Sequence, residues 1–317
     1  MRKSRALPAL LVGLGIALIV GGLLAPRALL IDARFPLSLT NTTWTMSDPD
    51  GVRDGRREPV VRQLHMEVRN PSDGDTVNVR VGDSLRAGVA GADFDNLVSA
   101  STWAFAFDRV TGEVPEPASA QLVMAMPAAE VPVEGVWLKF PVDVEQRSYD
   151  VFDPVLRGAA PAEFVGEDEL EGRSVYRFHQ RIAPTNLAQR FADERNTTYV
   201  EGPGGEPVRA FLFHSAERVL TVDQVSGLVV GIDEKVDDYY GDAQGRGIRN
   251  VVTYDARADE AQVRALLGEL AGVEPESRGR SISWAVAAAG ALLALVGLAM
   301  AAARRRSRET RPPRHAR

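Results

Sequence analysis

The sequence predicts a mainly β protein: a curved antiparallel sheet, a half-barrel or sandwich with short helices, flanked by N- and C-terminal transmembrane helices. Three observations carry this expectation. Two uncharged apolar runs, Leu7–Ala25 and Ile282–Ala303, stand near the two ends of the 317-residue chain. Between them, several stretches place apolar residues at every second position, the period of a half-buried strand. Only Asp259–Leu270 repeats its apolar residues convincingly at helical spacing.

The elements follow in order. Residues 1–6 form a basic tail with Arg2, Lys3 and Arg5, and residues 7–25 form the first span, with Pro8 in the first turn where its missing N–H costs little. The apolar core is long for a signal peptide, and AlaProArgAla at 25–28 lacks a pair of small residues for cleavage, so an uncleaved anchor is expected. Residues 26–280 form the β-rich domain. Its first strand lies within Phe35–Trp44, followed by a loop over Ser47–Glu58. Val60–Asn70 and Asp75–Asp83, joined by AsnProSerAspGly, give the plainest hairpin. Trp103, Phe105 and Phe107 share one face of the next strand. Short strands are expected at 136–140 and 144–152, then a hairpin of Glu163–Glu169 with Ser174–Ile182, and a short helix over Asn186–Arg195. Phe211–His214, Arg218–Asp223, Leu228–Tyr239 and Arg249–Asp255 complete the strands. In Asp259–Leu270 the residues Val263, Leu266, Leu267 and Leu270 make one apolar face, with Asp259 as cap and Gly272 as terminator. Residues 281–303 form the second span, since 22 uncharged residues at about 1.5 Å each cover a hydrocarbon core of roughly 30 Å. Residues 304–317 are a basic tail.

Charge is divided along the chain. The two tails carry +3 and +6 and the whole chain −6, so the stretch between them carries −15. Basic tails belong in the cytoplasm, which predicts a two-pass protein of the cell membrane with both termini cytoplasmic and the main domain extracytoplasmic. An acidic domain argues against nucleic acid as a partner. Cysteine is absent, which excludes disulfides, thiolate metal sites and thiol nucleophiles. Three lysines against 34 arginines fit a GC-rich bacterial genome.

Chemistry is sparse. No phosphate-binding glycine loop, serine elbow or zinc-protease motif is present, so neither a catalytic residue, a metal site nor a cofactor is assigned. His65, His179 and His214 lie singly on expected strands. The acidic pairs Asp93 with Asp95, Glu167 to Glu171, Asp233 with Glu234 and Asp237 with Asp238 read as solvated surface in preference to a hydrolytic pair. The aromatic residues Trp44, Trp103, Phe105, Phe107, Trp137 and Phe140 gather in the first half of the domain. They read as sheet core or, functionally, as an apolar groove for acyl chains.

Four stretches, FPLSLTNTTW at 35–44, KFPVDVEQRSYDVFDP at 139–154, EFVGEDELEGRSVYRF at 163–178 and TVDQVSGLVVGIDE at 221–234, resemble an actinobacterial two-span membrane family of unknown function that is also labelled porin PorA. Its mycobacterial members are similar to a periplasmic polar growth factor implicated in moving trehalose monomycolate with its membrane exporter. The resemblance implies envelope-lipid handling, with a membrane lipid or glycolipid as ligand and an envelope lipid transporter as partner. A transmembrane barrel needs many strands with an outward apolar band; two helical spans and an acidic middle predict a helix-anchored domain instead. The resulting expectation is a non-catalytic envelope protein that binds or helps traffic a lipid or glycolipid. The alternatives are a ligand-free scaffold for a transporter or synthase, and an envelope hydrolase using an acidic pair.

Overall fold

A computed structural model describes residues 6–28, 33–89, 95–122, 127–202, 205–274 and 276–309. The outermost tail residues, with His315, and Asp93 lie outside them. Two compact units result, one from the two chain ends and one comprising Ala33–Val273.

The first unit is a pair of helices, α1 (Ala6–Ala28) and α3 (Glu276–Glu309), separated in sequence by the short α2 (Glu260–Glu269) of the other unit. Their cores, Leu7–Leu24 and Ser283–Ala302, are long and apolar enough to cross a membrane. Both helices outrun the apolar runs, and α3 continues through Arg304–Arg308 because arginine is a good helix former. They pack antiparallel through glycine. A Cβ at Gly15 would lie 2.6 Å from Gly290 O, and one at Gly22 2.8 Å from Ser283 O. Gly290 and Gly297 answer from α3, so the backbones meet directly. Leu10, Leu14, Leu23, Leu292 and Leu295 point away from the pair.

The second unit is a single sheet of fifteen strands. These are β1 (Asn41–Asp48), β2 (Val52–Arg53), β3 (Arg56–Arg57), β4 (Val60–Arg69), β5 (Thr76–Ala87), β6 (Leu97–Asp108), β7 (Ala118–Gln121), β8 (Ala129–Val131), β9 (Tyr149–Asp153), β10 (Gly158–Leu170), β11 (Arg173–Asn186), β12 (Thr197–Glu201), β13 (Pro207–Asp223), β14 (Val229–Gly241) and β15 (Gly247–Ala258). Neighbours follow the order β8-β7-β6-β5-β4-β1-β15-β14-β13-β11-β10-β9. Every strand pairing is antiparallel, and β1 lies between β4 and β15, joining the first half of the sheet to the last strand.

Period-two alternation sets the inner face. In β6 it buries Trp103, Phe105 and Phe107, and in β11 Phe178, Gln180 and Ile182. The β4–β5 hairpin runs in unbroken register from Val60 opposite Ala87 to Arg69 opposite Asn78. The sheet curls until its ends approach. Val136 bridges both Glu113, beyond β6, and Val151 on β9. Trp103 and Phe152 bring their rings to 5.7 Å edge to face. The mainly β antiparallel fold with terminal apolar helices is the expected one.

Three local expectations are corrected. Residues 136–140 form no strand: all five are buried, and Leu138 sits at φ 63, which breaks an extended path. The chain instead crosses the interior there, and only β9 remains of 144–152. Asn186–Arg195 yields two 3-10 turns, Leu187–Gln189 and Glu194–Asn196, capped by Asn186 and Asp193. The loop at 47–58 contains the small β2–β3 hairpin.

The cap of α2 is as expected, with Asp259 accepting from Ala261 N and Gln262 N. Buried or half-buried arginines hold both exits of this unit. Arg109 donates from Nε to Phe35 O at 2.8 Å, and Phe35 N returns a bond to Arg109 O. Arg173 donates from Nη1 to Leu270 O and Val273 O at 2.8 and 3.1 Å, while its other nitrogens grip buried Asp223.

Candidate functional site

The six aromatic candidates are all packed in the core, none more than 7% exposed. Trp103 and Trp137 meet edge to face, and Phe105 stacks on Trp137 at 5.4 Å. Phe107 meets Phe35, and Phe140 meets Tyr149 and Phe178. The Trp44 indole donates to Val229 O at 2.8 Å. Trp103 also forms part of a cleft wall, and Trp137 faces an interior cavity of about 30 Å³.

Behind the rings runs a buried chain of charges. Arg62 holds Asp83 through two nitrogens, at 3.1 and 2.9 Å, and Glu234 Oε2 at 2.7 Å. Glu234 Oε2 also accepts from Arg218 Nε at 2.9 Å, and its Oε1 accepts from the Tyr254 hydroxyl at 2.8 Å. Arg218 Nη1 stands 2.6 Å from Asp153 Oδ2, which lies 3.6 Å from His214 Nε2. His214 Nδ1 then meets Asp238 Oδ1 at 2.6 Å. Asp153 Oδ2, His214 Nε2 and Arg218 Nη2 have no aligned hydrogen bond among the described residues, so this end of the chain is held by charge attraction.

Burial alone would favour the uncharged forms, and the paired charges override it. Arg62 and Arg218 hold Glu234 down to about 2 against its desolvation. Asp238 and Asp153 outweigh burial at His214 and push it up to about 9. Lys139, also buried, is the reverse case. Its Nζ donates to the carbonyls of Phe140 and Val110, and desolvation outweighs Asp108 and Asp223 to lower it to about 7.

Asp83 and Asp238, the two ends of the chain, both line a chamber of about 270 Å³ whose wall includes Trp103, Leu212 and Val252. Beside it runs a groove of about 800 Å³ lined by Leu122, Pro127, Ala129, Ala188 and Ala192. Leu122, Arg157, Phe191, Asp193 and Arg195 line both, so the two spaces adjoin at this neck of residues. The 3-10 turns place Phe191 to Arg195 there, and the β9–β10 turn places Arg157. Arg157 lies 3.7 Å over the Phe191 ring and donates to Asp193 at 2.8 Å.

Sequence reasoning misses most of these residues. Glu234, read as surface, is wholly buried, because its partner Arg62 lies far away in sequence. His65, His179 and His214 stay apart, bonded to Thr43, Glu217 and Asp238 respectively. Among the described residues no group of three potential metal ligands forms.

Apolar terminal helices and a single antiparallel β unit mark a membrane or envelope protein. The chain belongs to the family described as Porin PorA, which matches residues 7–299. It is similar to a Porin PorA of Corynebacterium resistens, 30% identical over 141 residues, 42% of this chain and 34% of that protein. A Porin PorA of Corynebacterium amycolatum is 23% identical over 259 residues, 71% of this chain and 66% of that protein. The match thus spans a third and just under two thirds of the lengths of these relatives.

Proposed function

We propose that this is a non-catalytic envelope protein, anchored in the cell membrane by its two helices with the β unit outside the cytoplasm, that holds an envelope lipid or glycolipid in the cleft. It serves transfer of that lipid alongside an envelope lipid transporter. The carrying observation is the adjoining chamber and groove, with largely apolar walls and a few charged groups at their common border, the composition of a ligand site. The packed interior supports binding over conduction. A passage through the sheet would have to displace the Trp103–Trp137–Phe152 stack and the Arg62–Glu234–Arg218 chain.

The test is native mass spectrometry of the full chain with lipid extraction. Trp103 and Phe105 are core residues, so the diagnostic variant is Ala100→Trp, on the exposed rim of the chamber. One lipid retained per wild-type chain, and lost from Ala100→Trp at unchanged melting temperature, is the expected result. A ligand-free mass with no uptake of added envelope lipids overturns the reading in favour of a scaffold.

A further inference from the structure

We propose that the neck between chamber and groove takes the anionic group of an amphiphile, a phosphate, sulfate or carboxylate carried on an apolar tail. This rests on the cleft being an amphiphile site and names the chemistry it selects. Two guanidiniums share one carboxylate there. Asp193 accepts from Arg195 Nε and Nη2 at 2.9 and 2.8 Å and from Arg157 Nη2 at 2.8 Å. Within this cluster the guanidiniums outnumber the carboxylate by one. Glu194 lines the outer groove but forms no ion pair with either arginine among the described residues.

The two arginines differ in freedom. Arg157 is 15% exposed and fixed between Asp193 and the Phe191 ring. Arg195 is 50% exposed, and its Nη1 makes only a 3.3 Å bond to Leu122 O. Its backbone is held separately, by the Tyr240 hydroxyl donating to Arg195 O. The Nη1 edge of Arg195 can thus meet an incoming anion while Nε and Nη2 keep their bonds to Asp193. The chamber repels that anion, since Asp83 and Asp238 there end a buried chain of four carboxylates and three cations, which confines the anion to the neck. Apolar Leu122, Pro127, Ala129, Ala188 and Ala192 leave the groove to the tail. An oxyanion between guanidiniums gains charge-assisted, geometrically matched bonds.

The experiment titrates the full chain, in phosphatidylcholine nanodiscs with empty discs as blank, with dodecyl phosphate, dodecanol and inorganic phosphate by calorimetry. Dodecyl phosphate is expected to bind about tenfold more tightly than dodecanol, the worth of one charge-assisted hydrogen bond. Arg195→Gln is expected to erase that difference while leaving dodecanol unchanged, and Arg195→Lys to restore part of it. Equal binding of alcohol and phosphate, or an unaffected Arg195→Gln, overturns the proposal and leaves the cleft reading standing. Inorganic phosphate binding as tightly as dodecyl phosphate overturns it in favour of a free anion site. Failure of both alkyl compounds to bind overturns the cleft reading and this proposal with it.

Discussion

Asp83 and Asp238 come from strands on different halves of the sheet, yet they are the two ends of one buried chain of alternating charge and face one chamber. Between them stand Arg62, Glu234, Arg218, Asp153 and His214. Each interior ion has an opposite neighbour, which is what makes burial tolerable. The chain ties β4 and β5 to β9, β13 and β14 across the core, so the chamber floor and the curl of the sheet depend on the same contacts.

Glu234 is the link whose loss is most costly. Its Oε2 accepts from both Arg62 and Arg218, at 2.7 and 2.9 Å. Glu234→Gln leaves two buried guanidiniums facing each other, and a loss of about 3–5 kcal/mol is expected. Urea denaturation of the full chain measures it. A loss below about 1 kcal/mol, the scale of an exposed pair, would contradict the buried chain.

The two shifted bases predict opposing pH slopes. His214 moves from 6.5 to about 9 on folding, so its contribution is full below pH 6.5 and is lost as the pH rises through 9. Lys139 moves from 10.5 to about 7, so the folded state gains on the unfolded one as the pH rises from 7 towards 10.5. Between pH 7 and 9 the slopes oppose, each about 1.4 kcal/mol per pH unit at most. Wild-type melting temperature should change little across that window. In His214→Gln it should rise with pH, and in Lys139→Met it should fall. Parallel profiles for wild type and His214→Gln would sink the assignment.

The helix pair predicts a cross-link. A Cβ at Gly22 would lie 3.1 Å from Ala287 Cβ, slightly closer than the roughly 3.5–4.5 Å of a disulfide. Gly22→Cys with Ala287→Cys, the sole cysteines in the chain, should bond within one chain on oxidation in membranes. Adding Gly290→Val should abolish the bond, since its Cβ would lie 2.7 Å from Gly15 O. Cross-linking that survives Gly290→Val argues against backbone-to-backbone packing.

What was legible in the sequence was what local pattern encodes. The β4–β5 hairpin announced itself by alternation around an Asn-Pro-Ser-Asp-Gly turn, the Trp103 face by period two, and α2 by its Asp259 cap. The apolar runs marked both long helices. Pattern misled at 136–140, where Val136, Trp137, Leu138, Lys139 and Phe140 are all buried because the segment crosses the interior, enclosed on every side. It was silent about the charges. Arg62 sits at a buried position of a clean alternation, and only the fold reveals that Glu234, 172 residues later, waits there. The neck was equally hidden, since Arg157, Asp193 and Arg195 meet only through two turns.

The arginine clamps at the two exits have a mechanical meaning. A pull on the chain at Ala33 reaches Phe35, which is bonded both ways to Arg109, and Arg109 Nη1 in turn holds the carbonyls of Asp73 and Gly74. A pull at Glu274 reaches Val273 and Leu270, which Arg173 ties to Asp223 in the middle of the sheet. Tension from either end is therefore passed sideways into neighbouring strands as well as along β1 and α2.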